Sequence, residues 1–374
     1  GQLGADGTIA LLADGANPAL DAGQDDLAPA TDALGAGRFD VLGGVANNGT
    51  NISDLGAVEL QEQVFPREAQ SLVVTTAADV VDAFDGVTSL REAVAFANSA
   101  ADADGDGDID VISFDAAVFN GEPIDVIRLT EGEIDITDSV VIDGSTAAAP
   151  VQITGDALGN DETDAAGITD VAASLNNPAL LDDNSRIFNA TNGDTTLIGL
   201  SLTGGRTTGD AEFGGDVEFG GAVRSIGGDL TITDSTISGN STAGFGAGGG
   251  GISGRYDVTI INSTVSGNST AGENSRGGGI GSYGSTTLTN SLVLGNVAQN
   301  DADNDVGASS LTLTGGNVLG SAFSVNGVVQ DDNVAAVDVF AVTEDNNGVA
   351  TGQLGAYGTI ALLADGANPA LDAG

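Results

Sequence analysis

The stretch DLTITDSTISGNST, Asp229–Thr242, returns as DVTIINSTVSGNST, Asp257–Thr270, and again, more divergent, as STTLTNSLVLGNVA, Ser285–Ala298. The step is 28 residues each time, and a fixed period of this size is the signature of stacked structural units. Its columns identify the unit. Ile232, Ile260 and Leu288 share one position, and Ile237, Val265 and Val293 another, while Thr231, Thr259 and Thr287 fall between apolar columns. Apolar and polar residues therefore alternate as on a strand. Asn240, Asn268 and Asn296 form an Asn column behind Gly239, Gly267 and Gly295, and glycine-rich corners precede each rung. A strand–helix–strand unit needs roughly 30 residues or more, whereas one coil of three short strands with tight corners fits. The expected fold is all-β: a parallel β-helix, right-handed by the chirality of parallel crossovers. The three Asn are expected to form a structural ladder along its axis.

Composition agrees with a thin stacked core. Of 374 residues 58 are Gly, and aromatics make up 4%. There are 54 acids against 9 bases, a formal net charge of −45; all nine bases are Arg, and 42 of the acids are Asp. Such a chain repels nucleic-acid phosphates and anionic membranes. The Asp bias favours corners and hard-cation sites. Cys and His are absent, which removes disulfides, thiolate zinc sites and the usual nucleophilic triads. No run of 18 apolar residues and no basic N-terminal region mark a membrane span or a signal peptide.

Residues 1–23 and 352–374 match at 22 of 23 positions, with Asp6 replaced by Tyr357, an offset of 351. This implies a tandem array of that period. Residues 1–62 then read as the C-terminal end and cap of a preceding repeat, 63–70 as a linker, and 71–374 as a new β-helix copy ending before its cap. At 28 residues per coil the copy is expected to hold roughly 11 coils. The segment SLVVTTAADV, 71–80, reads as a first strand. TSLREAVAFANSA, Thr88–Ala100, reads as a capping helix over the first coil, with Ser89 and Glu92 as a capping box and Leu90, Ala93, Val94 and Ala97 on its buried face. VISF, VIRL, IDI, VVI and VQI between Val111 and Ile153 read as early rungs. Residues 154–187 read as a surface excursion, SLTLTGGNVLG (Ser310–Gly320) as a further rung, and Val334–Val342 as another.

These elements resemble a known family. SLREA (Ser89–Ala93), an Asp-rich loop and ISFD (Ile112–Asp115) resemble the CSLREA-type domain of bacterial and archaeal surface proteins, with Thr88 where the motif opens on Cys. The ISGNST rungs resemble polymorphic outer-membrane-protein-like β-helix repeats. NPALDAG (Asn17–Gly23 and Asn368–Gly374) resembles the family's SPAIDAG element, and DLGAVE (Asp54–Glu59) its closing strand. The resemblance implies a right-handed β-helix in large secreted or cell-surface proteins and no known catalytic residues.

The sharpest chemical signal is DADGDGDID, Asp102–Asp110. Asp102, Asp104 and Asp106 stand at positions 1, 3 and 5 of a calcium-type loop, Gly107 at 6, and Asp108 and Asp110 at 7 and 9. Position 12 is Ser113, so the loop is not a helix-flanked calcium hand; it reads either as a calcium loop or as a solvated acidic loop. Asp301, Asp303 and Asp305 form a second run without the glycine. Arg224, Arg255 and Arg276 lie off the 28-residue register and read as corner or surface residues. Asn48, Asn240 and Asn268 each open an Asn sequon, and the last two overlap the ladder, so they are expected to be buried and unmodified. Tyr256, Tyr283 and Tyr357 are out of register, which argues against a stacking platform. The leading functional expectation is a non-enzymatic, calcium-stabilised structural repeat of a long extracellular or cell-surface fibre or adhesin, whose partners are neighbouring copies of itself and possible surface polysaccharides. The alternative is a carbohydrate-binding or polysaccharide-cleaving β-helix displayed in tandem.

Overall fold

The computed structural model describes residues 68–121, 125–159, 183–207, 219–244, 246, 248–271, 275, 277–298, 305–320, 322–324, 342–344 and 350–352. The chain divides into two units, Gly1–Glu68 and Ala69–Gly374, and the described residues belong to the second but for Glu68. The expected cap in 1–62, most of the linker and most of the rung at Val334–Val342 lie outside them.

The second unit is a parallel β-helix. Face one stacks Ile134–Ile136, Phe188–Ala190, Val223–Ser225, Ile252–Gly254 and the starts of Ile280–Thr289 and Val306–Thr314. Face two stacks Val73–Val74, Val111–Phe114, Val140–Asp143, Thr195–Ile198, Leu230–Thr233, Val258–Ile261 and the ends of the same two long strands, which bend through the corner and join both faces into one sheet. Face three stacks Asp125–Arg128, Val151–Thr154, Leu200–Thr203, Thr236–Ser238, Thr264–Ser266, Leu292–Val293 and Val318–Leu319. A shorter fourth ladder joins Arg206–Thr207, Ser241–Thr242, Ser269–Thr270 and Val297–Ala298. The five early apolar runs and the rung after Ser310 are all strands of this stack. Val342–Glu344 instead pairs antiparallel with Ala350–Gly352.

Each face presents apolar columns to the interior. On face two, Ile112, Ile142, Leu197, Ile232, Ile260 and Leu288 lie directly on one another. On face three, Ile127, Ile153, Leu202, Ile237, Val265, Val293 and Leu319 do the same. All thirteen are buried, each contributing about 1.5–3 kcal/mol of transfer free energy.

The 28-residue register holds only from Leu230 through Val258 to Thr286. Earlier steps along face two are longer: 40 residues from Val73 to Ser113, 55 from Val140 to Thr195 and 35 from Thr195 to Leu230. The 40-residue step holds the helix Leu90–Ala97 and the acidic loop, and most of the excursion expected in 154–187 is not described. Among the described residues face two has eight levels. Seven strand spacings of about 4.8 Å give an axial length near 34 Å.

Two corner columns show why the repeat tolerates so few residue types. Asp234, Asn262 and Asn290 have φ of 51°, 48° and 49°, and Gly239, Gly267 and Gly295 have φ of 64°, 67° and 75°. The left-handed region costs most L-residues roughly 1–2 kcal/mol, least for Gly, Asn and Asp.

Helix α1, Leu90–Ala97, covers the first level. Its N-cap is Ser89, with both bonds of the Ser89–Glu92 capping box formed, and it buries Leu90, Ala93, Val94 and Ala97. The edge strand Ile134–Ile136 needs partners for its outer backbone groups. Asn98 donates to the Asp135 carbonyl at 2.8 Å and accepts from the Thr137 amide at 2.8 Å. Arg91 donates to the Gly132 and Glu133 carbonyls and forms a two-pronged bridge to the buried Asp79 carboxylate. No helix among the described residues is long and apolar enough to cross a membrane.

The corner geometry makes a direct prediction. Asn262→Gly should leave stability within about 0.5 kcal/mol, whereas Asn262→Val should cost about 1–2 kcal/mol in urea unfolding. Equal stabilities for the two variants would remove the left-handed corner as a constraint.

Candidate metal centre and buried polar columns

The loop Asp102–Asp110 runs from the end of α1 into the strand Val111–Phe114. It is shaped by its own carboxylates. Asp104 accepts from the Asp106 amide at 3.2 Å, Asp106 from the Asp108 amide at 2.9 Å, and Asp102 from the Gly107 amide at 3.2 Å. Gly105 and Gly107 supply the reversals, with φ of 78° and 94°. The result gathers one oxygen each from Asp102, Asp104 and Asp106 within 4.8 Å of one another, all three residues being exposed. Three like charges this close repel, and a hard divalent cation relieves that repulsion while taking its remaining oxygens from backbone and water. The donor set thus fits calcium in part.

Asp108 and Asp110 are not in that group. Asp108 is exposed, whereas Asp110 is only 2% exposed and both its oxygens accept from the Ala103 amide, at 3.0 and 3.2 Å. Burial raises its pKa above the ordinary carboxylate value. Asp110 closes the loop onto the first full coil, and its backbone carbonyl accepts from Val141 of the next level. Spacing counts donors but cannot tell an outward carboxylate from an inward one. The position directly before a strand is the signal that distinguishes it.

The Asn column is a continuous chain of amides. Asn240 Nδ2 donates to Asn268 Oδ1 at 2.9 Å, and Asn268 Nδ2 to Asn296 Oδ1 at 2.9 Å. The same oxygens accept the backbone amides of Asn240 and Asn268, at 3.1 and 3.0 Å. Each Nδ2 also reaches a carbonyl of the preceding coil: Leu202, Ile237 and Val265. Asn240 and Asn268 are fully buried, so neither sequon is open to a glycan in the folded chain. Asp305 terminates the chain, accepting the Asn296 amide at 2.9 Å and its Nδ2 at 2.8 Å with one oxygen. An ionised carboxylate accepts and does not donate, so it suits a column in which every side chain donates forward. Asp305, at 4% exposure, is therefore engaged in the ladder; Asp301 and Asp303 lie outside the described residues.

Two further columns went unremarked in the sequence. Ser235, Ser263 and Ser291 each accept the amide of the level before through the side-chain oxygen and donate to the carbonyl two residues back. Asp194, Asp229 and Asp257 accept, in the opposite sense, the amides of Asp229, Asp257 and Ser285. Their signal is only an unchanging polar residue at a fixed column.

The outer surface of face one carries a charged network. Arg224, expected at a corner or surface, lies within the strand Val223–Ser225, is 6% exposed and donates to Asn189 Oδ1 at 2.8 Å. Its register step to Ser253 is 29 residues, one more than the period, which hid the alignment. Asn189 donates to Asp135 Oδ1 at 2.8 Å and Glu133 Oε1 at 3.3 Å, and Glu133 pairs with Arg186 at 2.6 Å. This network stitches three levels together. Arg255 is exposed at the corner, and Arg276 is not described.

Truncating the ladder tests its weight. Asn268→Ala should cost about 3 kcal/mol or more, because it strands buried donors and acceptors on both neighbouring coils. The exposed-face change Thr259→Ala should stay within about 0.5 kcal/mol. Parity of the two in urea unfolding would make the ladder energetically idle.

No protein-family model, no curated protein and no solved structure matches this chain.

Proposed function

We propose that this chain is a structural repeat of a long extracellular or cell-surface fibre or adhesin built from tandem β-helix domains. One observation carries the reading: a 23-residue element recurs 351 residues on with a single change, in a chain whose described residues form a solenoid. A solenoid grows by adding levels, so tandem copies extend one rod rather than making separate globules. The resemblance to surface proteins supports the location. Neighbouring copies of the same repeat are the partners, head to tail in one chain. The segment acts by holding distance and carries no catalytic centre.

Calcium is the ion this reading assigns to Asp102, Asp104 and Asp106. It binds the folded loop only, so it stabilises by mass action. The site lies where the capping helix gives way to the coils, the join that must be stiff in a rod.

Two measurements check the proposal. Electron microscopy of the native protein should show rods with an axial period of about 50–80 Å, of which the described coils supply about 34 Å; isolated short particles would overturn the fibre. Millimolar calcium should raise the melting temperature by several degrees, as about 2–3 kcal/mol of ligand-linked stability does. Asp104→Asn with Asp106→Asn should abolish that rise. A melting temperature indifferent to calcium and to chelator would remove the metal.

A further inference from the structure

Outside face one, over the last coils, lies a groove with an aromatic wall. The strand Ile280–Thr289 carries a bulge between Ser282 and Ser285 relative to its neighbour, so Tyr283 and Gly284 oppose the single residue Ser309. A bulge re-aims a side chain, and Tyr283 stands 66% exposed. Phe219 meets it edge to face, ring centroids 6.0 Å apart at 81°. Beneath the two rings the sheet surface is almost bare. Ser253, Gly281 and Gly307 form the floor of a cavity of about 220 Å³, and a Cβ on Gly281 would come within 2.6 Å of the Gly249 amide. A second cavity of about 440 Å³ shares Phe219, Ser253 and Tyr283 and ends at Arg255.

We infer that this groove binds an uncharged saccharide, with a sugar ring laid against Tyr283. The lining selects the class. The described residues that line it include no carboxylate and one charged group, Arg255, and the chain's net charge of −45 repels a polyanion before contact. A protein partner needs roughly 800 Å² of surface per side, far more than this recess presents. A neutral sugar matches both kinds of surface present: its axial C–H groups carry slight positive charge toward the negative ring faces, and its hydroxyls meet serine hydroxyls and the backbone of a glycine floor. The cavity is smaller than sites for drug-sized ligands, roughly 300–1,000 Å³, which suits one ring of a longer glycan running on toward Arg255. Tyr283 lies level with Arg255 of the coil before it rather than with Tyr256, and its ring partner is Phe219 rather than another tyrosine. The inference is independent of the fibre reading, since a monomeric chain would bind as well.

The full chain has three Tyr and no Trp, so Tyr283 supplies one of three emitters, and calorimetry reads the variants that lack it. Mannopentaose, maltopentaose and cellopentaose would be titrated by fluorescence and calorimetry, with polygalacturonate as the anionic comparison. At least one neutral oligomer should bind with a Kd on the order of a millimolar, as befits a small open site. Tyr283→Ala should weaken it about tenfold or more, as should Phe219→Ala, while Tyr283→Phe should retain binding. Both rings are at the surface, and unchanged circular dichroism confirms that the variants fold. Binding that survives Tyr283→Ala would overturn the location. Binding of polygalacturonate alone would overturn the ligand class, and no binding by any of the four would overturn the inference itself.

Discussion

Everything in this molecule depends on like lying on like. Each coil hydrogen-bonds to the next at the strand spacing of about 4.8 Å, so a side chain has as neighbours the residues of its own column in the coils before and after. An apolar column stays dry only if every member is apolar and of similar bulk. A polar column stays satisfied only if each member offers the next what it needs. The Ile112–Leu288 column and the Asn240–Asp305 chain are two expressions of that single constraint.

The polar columns also set direction. Asn and Ser side chains accept amides from the coil before them, whereas Asp194, Asp229 and Asp257 accept from the coil after. The corners are thus tied in both axial senses, and buried backbone groups at the turns find partners that sheet ladders alone leave unmet. The cost is charge. Stacked carboxylates on the outer surface repel along the axis, which salt and divalent cations relieve.

The chemically varied surfaces of this scaffold sit where the repeat is broken. The acidic loop falls between α1 and the first regular coils. The charged network of Glu133, Asn189, Arg186 and Arg224 occupies the irregular early levels. The aromatic groove lies beside the register shift between Ser282 and Ser285. Regular coils cannot build a concave, chemically varied surface, since each would reproduce its neighbour.

The amino-acid sequence alone determined the parallel β-helix, the helix with its capping box, the Asn column and the Asp102–Asp106 spacing. All of these are local patterns or exact repeats, and stacking turns a repeat in sequence directly into a contact in space. Only the tertiary structure decided the register of the coils before Leu230, because the steps between them differ in length. It alone turned Asp110 inward to Ala103 while Asp102, Asp104 and Asp106 face out, and it alone put Arg224 against Asn189, 35 residues away. Which way a side chain faces depends on where its strand begins, and which residue it meets depends on the length of the coil between them; neither is a property of the residues themselves.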